Sequence, residues 1–217
     1  MDAVGASIAS LWPDIAIHKF KDSEVTRARF KAELTKAIEA LPEGATVAIF
    51  SDSCFSAGNT RGGVRSVKPR FMPPEVRSRK KHRRRLFRST DMKWLAFSGC
   101  GEKQTSSDAY FNNRPNGAFT FYAVRCLNKV TYADLMACID RYLPSDEFPQ
   151  DPELHGPDYL KSRVIGEGPT LIVWYSGHGS YVTDGGGDEI DGVDETLYVY
   201  DGNIRDDELG EILQNIK

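Results

Sequence analysis

Two short stretches carry residue types that together do covalent chemistry. Residues 48–58, AIFSDSCFSAG, place Cys54 at the end of an apolar run, in a turn of small residues. Residues 170–180, TLIVWYSGHGS, place His178 in the same kind of position, with glycine on either side. A thiol attacks a carbonyl once an imidazole has taken its proton, and the oxyanion that forms needs N–H donors. Cys54 and His178 supply the thiol and the base. The amides of Gly179 and Cys54 are the candidate donors, because glycines at 177 and 179 let a substrate approach the backbone closely. Residues two apart in a strand share a face, so Asp52 lies beside Cys54 and Ser176 beside His178. A carboxylate next to a thiol opposes its ionisation, so the charge of Asp52 is better used on a cation such as the Arg or Lys of a substrate. Read singly, SDSC also suits a buried thiol beside a turn, and YSGHGS a structural histidine. His18 in an edge-like strand, His82 in a basic run and His155 in a Pro-rich loop lack such a context and read as surface or structural.

For Cys54 and His178 to meet, their strands must be parallel neighbours. The runs ATVAIF (45–50), KWLAFSGCG (93–101) and TLIVWY (170–175) are continuously apolar, as strands buried on both faces of a parallel sheet are. Residues 14–20, DIAIHKF, alternate like a short strand, and the helical spacing of Phe30, Leu34, Ile38 and Leu41 predicts a helix capped by Asp22 or Ser23. GAFTFYAVRCL (117–127) and TYADLMACIDRYL (131–143) read as two helices, the second capped by Thr131. Residues 144–169 hold five prolines and predict an extended surface connection. DDELGEILQNIK (206–217) reads as a closing helix with acids at its start, where the dipole favours them. Strands alternating with helices argue for one domain built on an open α/β sheet, with its site at the C-terminal strand ends.

The chain has 217 residues, enough for one sizeable domain. No apolar run approaches the roughly 18 residues that cross a bilayer. Residues 1–12, with an early Asp and no basic start, do not read as a secretory signal, so a cytoplasmic compartment is expected. The four cysteines, at 54, 100, 126 and 138, show neither metal-ligand pairing nor the density of a disulfide scaffold, which predicts free thiols, with Cys126 and Cys138 as small core residues. Charge is segregated: residues 61–93 hold thirteen Lys or Arg against Glu75 and Asp91, in a chain whose net charge is −3. The body is therefore acidic and carries one basic segment, expected to be a mobile loop. That segment reads as a solvated linker or as a docking and self-cleavage loop; nucleic-acid contact fits less well, because few aromatics are interleaved with its charge. The acids at 184, 188, 189, 191, 194, 195, 206 and 207 are hard oxygen ligands. Their spacing is not that of an EF-hand, and by count alone they make a solvated acidic face.

Several motifs resemble those of metacaspases, the caspase-like cysteine peptidases of plants, fungi, protists and bacteria. YSGHGS with the following DGGGDEIDGVDETLYVYDGNIRDDEL resembles the family's histidine-bearing region. LPEGATVAIFSDSCFSAG resembles its nucleophile segment DSCHSG, with Phe55 in place of His and Ala57 inserted before the Gly. The segments from AFSGCGEKQTSSDAYF to DYLKSRVI resemble its small-subunit-like region. In most metacaspases the His segment comes first; here Cys54 precedes His178, an order that resembles type III metacaspases of algae. The resemblance implies a single caspase-like α/β domain in permuted order, an open, mostly parallel sheet flanked by helices. Residues 1–165 would be the small-subunit-like region and 166–217 the large-subunit-like region, with 61–93 as an insert. It also implies a monomeric endopeptidase that cleaves protein or peptide substrates after Arg or Lys, Asp52 pairing with that side chain and Ser176 lining its pocket. An activating Ca2+ would be held by Asp194, Asp206 and Asp207, with Asp188 and Asp191 as secondary candidates. A further family ligand falls near residues 59–61, where this chain has no acid. The alternative is a catalytically silent caspase-like module that binds partners through the basic segment.

Overall fold

The computed structural model describes residues 3–53, 68–69, 92–101, 104, 106–111, 114–183 and 193–217. Cys54 and nearly all of the basic segment lie outside the described residues. The chain opens with α1 (Ala3–Leu11), a 3-10 turn (Asp22–Glu24), α2 (Arg27–Glu39) and β1 (Thr46–Asp52). Then come β2 (Lys68–Pro69), β3 (Leu95–Ser98), β4 (Ser107–Phe111), β5 (Arg114–Gly117), α3 (Ala118–Cys126) and α4 (Tyr132–Ile139). The rest holds β6 (Glu153–His155), α5 (Asp158–Lys161), β7 (Thr170–Ser176), β8 (Gly179–Thr183), β9 (Val193–Val199), β10 (Gly202–Arg205) and α6 (Asp206–Leu213).

The main sheet has the order β6-β3-β1-β7, with β1 parallel to both β3 and β7 and only β6 antiparallel. This is the mixed α/β architecture expected, a mostly parallel sheet between helices. β1 shows why its sequence reads as uninterrupted apolar: Ala48 and Phe50 face the core of α1, α3 and α4, whereas Val47 and Ile49 face the core of α2 and α6. Between Thr46 and Ser51, period 2 and burial on both faces leave no position for a polar side chain. On the first face Phe97, Phe50 and Trp174 stand in register on three adjacent strands, with ring centroids 4.3 and 4.4 Å apart. Among the described residues, β8, β9 and β10 form a second, antiparallel sheet, and β2, β4 and β5 a third.

Four expectations need correction. Residues 14–20 form no strand. They alternate, but a strand exists only with a ladder partner, and the edges of the main sheet are taken by β6 and β7. Helix α2 is capped not by Asp22 or Ser23, which lie in the 3-10 turn, but by Thr26, whose hydroxyl accepts the Arg29 amide at 3.3 Å. The proline-rich connection is not confined to the surface: it contributes β6 and α5, and Phe148, Gln150, Leu160 and Ile165 from it are almost wholly buried. Finally, Cys126 and Cys138 are joined in a disulfide, and only Cys100 among the described cysteines is a thiol. Each of the two occupies an apolar helical position, as read. What the pattern does not carry is that α3 and α4 pack together with these Cα atoms 5.8 Å apart, within bridging range.

Helices α2 and α6 are tied by Glu208. Its carboxylate accepts from Lys31 at 2.8 Å and from the Arg205 amide at 3.0 Å, with Arg27 at 3.7 Å. Burial pushes its pKa up, but these hydrogen bonds and charges outweigh burial and hold it below the usual carboxylate value. A depressed pKa contributes stability that is present above the ordinary carboxylate range and lost as pH falls through it. Glu208→Gln should therefore lower the melting temperature at neutral pH, and the gap from wild type should close below about pH 4, checked by thermal melts across pH. The aromatic ladder makes a larger prediction: Phe50→Ala should cost about 3–5 kcal/mol in urea unfolding.

Candidate active site

Strand β1 pairs with β7 residue for residue from Thr46↔Thr170 to Asp52↔Ser176. The Gly177 amide adds a bond to the Asp52 carbonyl at 3.3 Å just past the last pair. Cys54 and His178 each follow that last pair by two residues, so the chain delivers both to the same end of the same two strands. Cys54 itself lies outside the described residues; Ser53, which precedes it, is fully buried.

His178 occupies the turn between β7 and β8 and is half-buried. Its Nδ1 is shielded from solvent and has no hydrogen-bond partner among the described residues. The backbone around it is firmly held. The His178 carbonyl accepts from the Tyr198 amide at 2.9 Å and lies 2.7 Å from the Tyr175 hydroxyl. Gly179 begins β8 opposite Leu197 and is buried. Opposed residues of an antiparallel pair alternate between bonded and non-bonded, so with 178 bonded to 198, Gly179 turns its N–H away from β9. That leaves the amide free of the ladder, as an oxyanion donor requires. Ser176 is exposed at the tip of β7.

Asp52 is where the structure adds most. The residue is wholly buried. Its carboxylate accepts from the Ser106 hydroxyl and, at 2.9 Å, from the amide of Thr120. Thr120 is the third residue of α3, whose own N-cap, Gly117, has no side chain to offer. Asp52 thus caps α3 from the end of the nucleophile strand, a carboxylate set against a helix N-terminus where the dipole favours it. Behind it, Gln150 donates to the Gly99 carbonyl at 2.6 Å and to Ser106 at 3.4 Å, and accepts from the Ser107 amide at 3.0 Å. The Cys100 thiol reaches the Ser53 carbonyl at 3.6 Å. Sequence reasoning missed Ser106, Thr120, Gln150 and Tyr175. Gln150 sits in the segment that reads as a surface connection, Thr120 in a helix, Tyr175 in an apolar strand and Ser106 between predicted elements, so nothing local marked them.

The candidate calcium residues are only partly assembled. Asp194 is buried on β9 with Arg205 3.5 Å away, and Asp206 and Asp207 open α6. Among the described residues no three His, Cys, Asp or Glu side chains stand together as a metal site. The described residues therefore do not by themselves fit a calcium ion; Asp188 and Asp191 lie outside them. Among the described residues, too, no helix is long and apolar enough to cross a membrane.

The local energetics are open to measurement. Asp52→Ala leaves the Thr120 amide and the Ser106 hydroxyl buried without an acceptor, and should cost about 1–3 kcal/mol in urea unfolding.

Comparison with known proteins gives a partial match. No family model matches the chain, and no solved structure does. A 47-residue stretch is 51% identical to Metacaspase-1 of Schizosaccharomyces pombe (strain 972), covering 20% of this chain and 11% of that protein. Over that stretch the chain is similar to a metacaspase.

Proposed function

We propose that the chain is a cysteine endopeptidase that cuts after Arg or Lys through Cys54 and His178. The observation that supports it best is the β1–β7 register, which ends both strands level at Asp52↔Ser176 and sends the two residues onward together. In this reading His178 takes the Cys54 proton and the thiolate attacks the scissile carbonyl. The oxyanion is met by the amides of Gly179 and Cys54. As the C–N bond breaks, the leaving amine takes the proton from His178, and a thioester remains. Water, deprotonated by His178, then releases the acid and restores the thiol.

Asp52 is assigned to the P1 cation. Its carboxylate accepts from the Ser106 hydroxyl and the Thr120 amide, and a guanidinium presents N–H donors of the same kind with a charge to match. Being buried, it must be uncovered by the entering side chain. Cleavage within residues 61–93, rich in Arg and Lys, belongs to the same reading. So does the order of segments, which resembles that of type III metacaspases. Calcium activation rests on the resemblance of Asp194, Asp206 and Asp207 to the calcium-binding acids of metacaspases, and no catalytic step is routed through the ion.

The test is turnover of an Arg-P1 fluorogenic peptide, with calcium and with chelator, followed by mass spectrometry of the protein for cuts in 61–93. Cys54→Ala should abolish turnover. Asp52→Asn should lower kcat/KM for Arg by about 100-fold, as expected for loss of a charge-assisted pair, and change a neutral P1 far less. A wild-type chain that neither cleaves nor is labelled on Cys54 by an Arg-based activity probe is a binding module, not an enzyme.

A further inference from the structure

Tyr175 was read as one more apolar residue of a buried strand, yet its hydroxyl is the point where three elements converge. The oxygen lies 2.7 Å from the His178 carbonyl and 2.7 Å from the Tyr198 carbonyl, linking β7, the turn that follows it and β9. The ring passes directly beneath Gly177: a Cβ there would stand 2.6 Å from the hydroxyl oxygen and 2.8 Å from the ring carbon that bears it. Only glycine permits this contact. The ring itself packs, as Val173 and Leu171 do, against the core on the α2 and α6 side, a role phenylalanine would fill equally. What demands tyrosine is the pair of carbonyls.

The peptide whose oxygen is held in this way joins His178 to Gly179. In a trans peptide the C=O and N–H point in opposite directions. Fixing the His178 oxygen against Tyr175 and the Tyr198 amide therefore aims the Gly179 N–H to the far side, away from β9. We propose that the Tyr175 hydroxyl is a positioning group that sets the His178–Gly179 peptide and, through it, the oxyanion-binding amide. This inference rests on the peptidase reading above. Tyr175 touches neither substrate nor nucleophile; it acts on the transition state through the backbone.

Tyr175→Phe removes one oxygen and separates the possibilities. We expect kcat for an Arg-P1 peptide to fall about 10- to 100-fold, less than or equal to the loss of a whole oxyanion donor. KM should stay within about 2-fold, since the loss is confined to the transition state. An arginine aldehyde, which forms a tetrahedral oxyanion on Cys54, should lose affinity in the same proportion as kcat. Alkylation of Cys54 by iodoacetamide, which passes through no oxyanion, should keep its rate. If Tyr175→Phe does not fold, Gly177→Ala, which pushes the hydroxyl off its carbonyls, should show the same split. Wild-type kcat and aldehyde affinity in the variant would overturn the inference, as would aldehyde affinity and alkylation falling together with the melting temperature. If the wild type itself fails to cleave and is not labelled on Cys54, the peptidase reading falls and this inference with it.

Discussion

The structure hangs on the parallel ladder between β1 and β7. Seven pairs hold Thr46 to Asp52 against Thr170 to Ser176, and the two strands come from distant parts of the chain. A shift of one residue would turn every side chain of β1 to the opposite face, exchanging Phe50 and Ala48 with Ile49 and Val47 between two cores of different shape. The aromatic ladder of Phe97, Phe50 and Trp174 opposes such a slip, because its stacking exists only in this register. Core packing thereby sets the register in which Asp52 and Ser176 end the two strands level.

At the end of that ladder hydrophobic order gives way to a buried polar cluster. Asp52, Ser106, Gln150 and the amides of Thr120 and Ser107 satisfy one another with no solvent. A buried carboxylate is costly unless its oxygens are bonded, and a helix N-terminus compensates it well because the N–H groups and the dipole act together. The arrangement explains how a carboxylate can be kept at the end of β1 without being exposed to water. It also joins the two halves of the first core, since β1 and α3 share this carboxylate. Specificity for a basic side chain, in the proposed reading, borrows a charge that the fold already needs.

The histidine side of the site is built by different means. Whereas Asp52 is held by a network, His178 is held by its own backbone, from Tyr198 across the small sheet and from Tyr175 beneath the turn. The imidazole remains unpaired at Nδ1. A rigid main chain carrying an unsatisfied ring suits a group that must exchange a proton, because its bonding changes during the reaction while its position does not.

The strands and helices that make the scaffold were legible in sequence because their signals are local. Continuous apolar runs marked β1, β3 and β7; period 3.6 marked α2 and α4; and Thr131 caps α4 as expected, accepting the Asp134 amide at 3.0 Å. The strands that lead into the cysteine and histidine motifs were legible for the same reason, being continuous apolar runs. The alternation of residues 14–20 misled, because periodicity says which face is apolar but not whether a ladder partner is near. Neither the bridge between Cys126 and Cys138, the cap that Asp52 provides for α3, nor the hold of Tyr175 on His178 could be read from the chain. The sequence by itself determined the elements and the residue types at their ends. Only the tertiary structure decided their partners, since a hydrogen bond or disulfide between distant segments depends on the relative placement of packed elements, which no local pattern encodes.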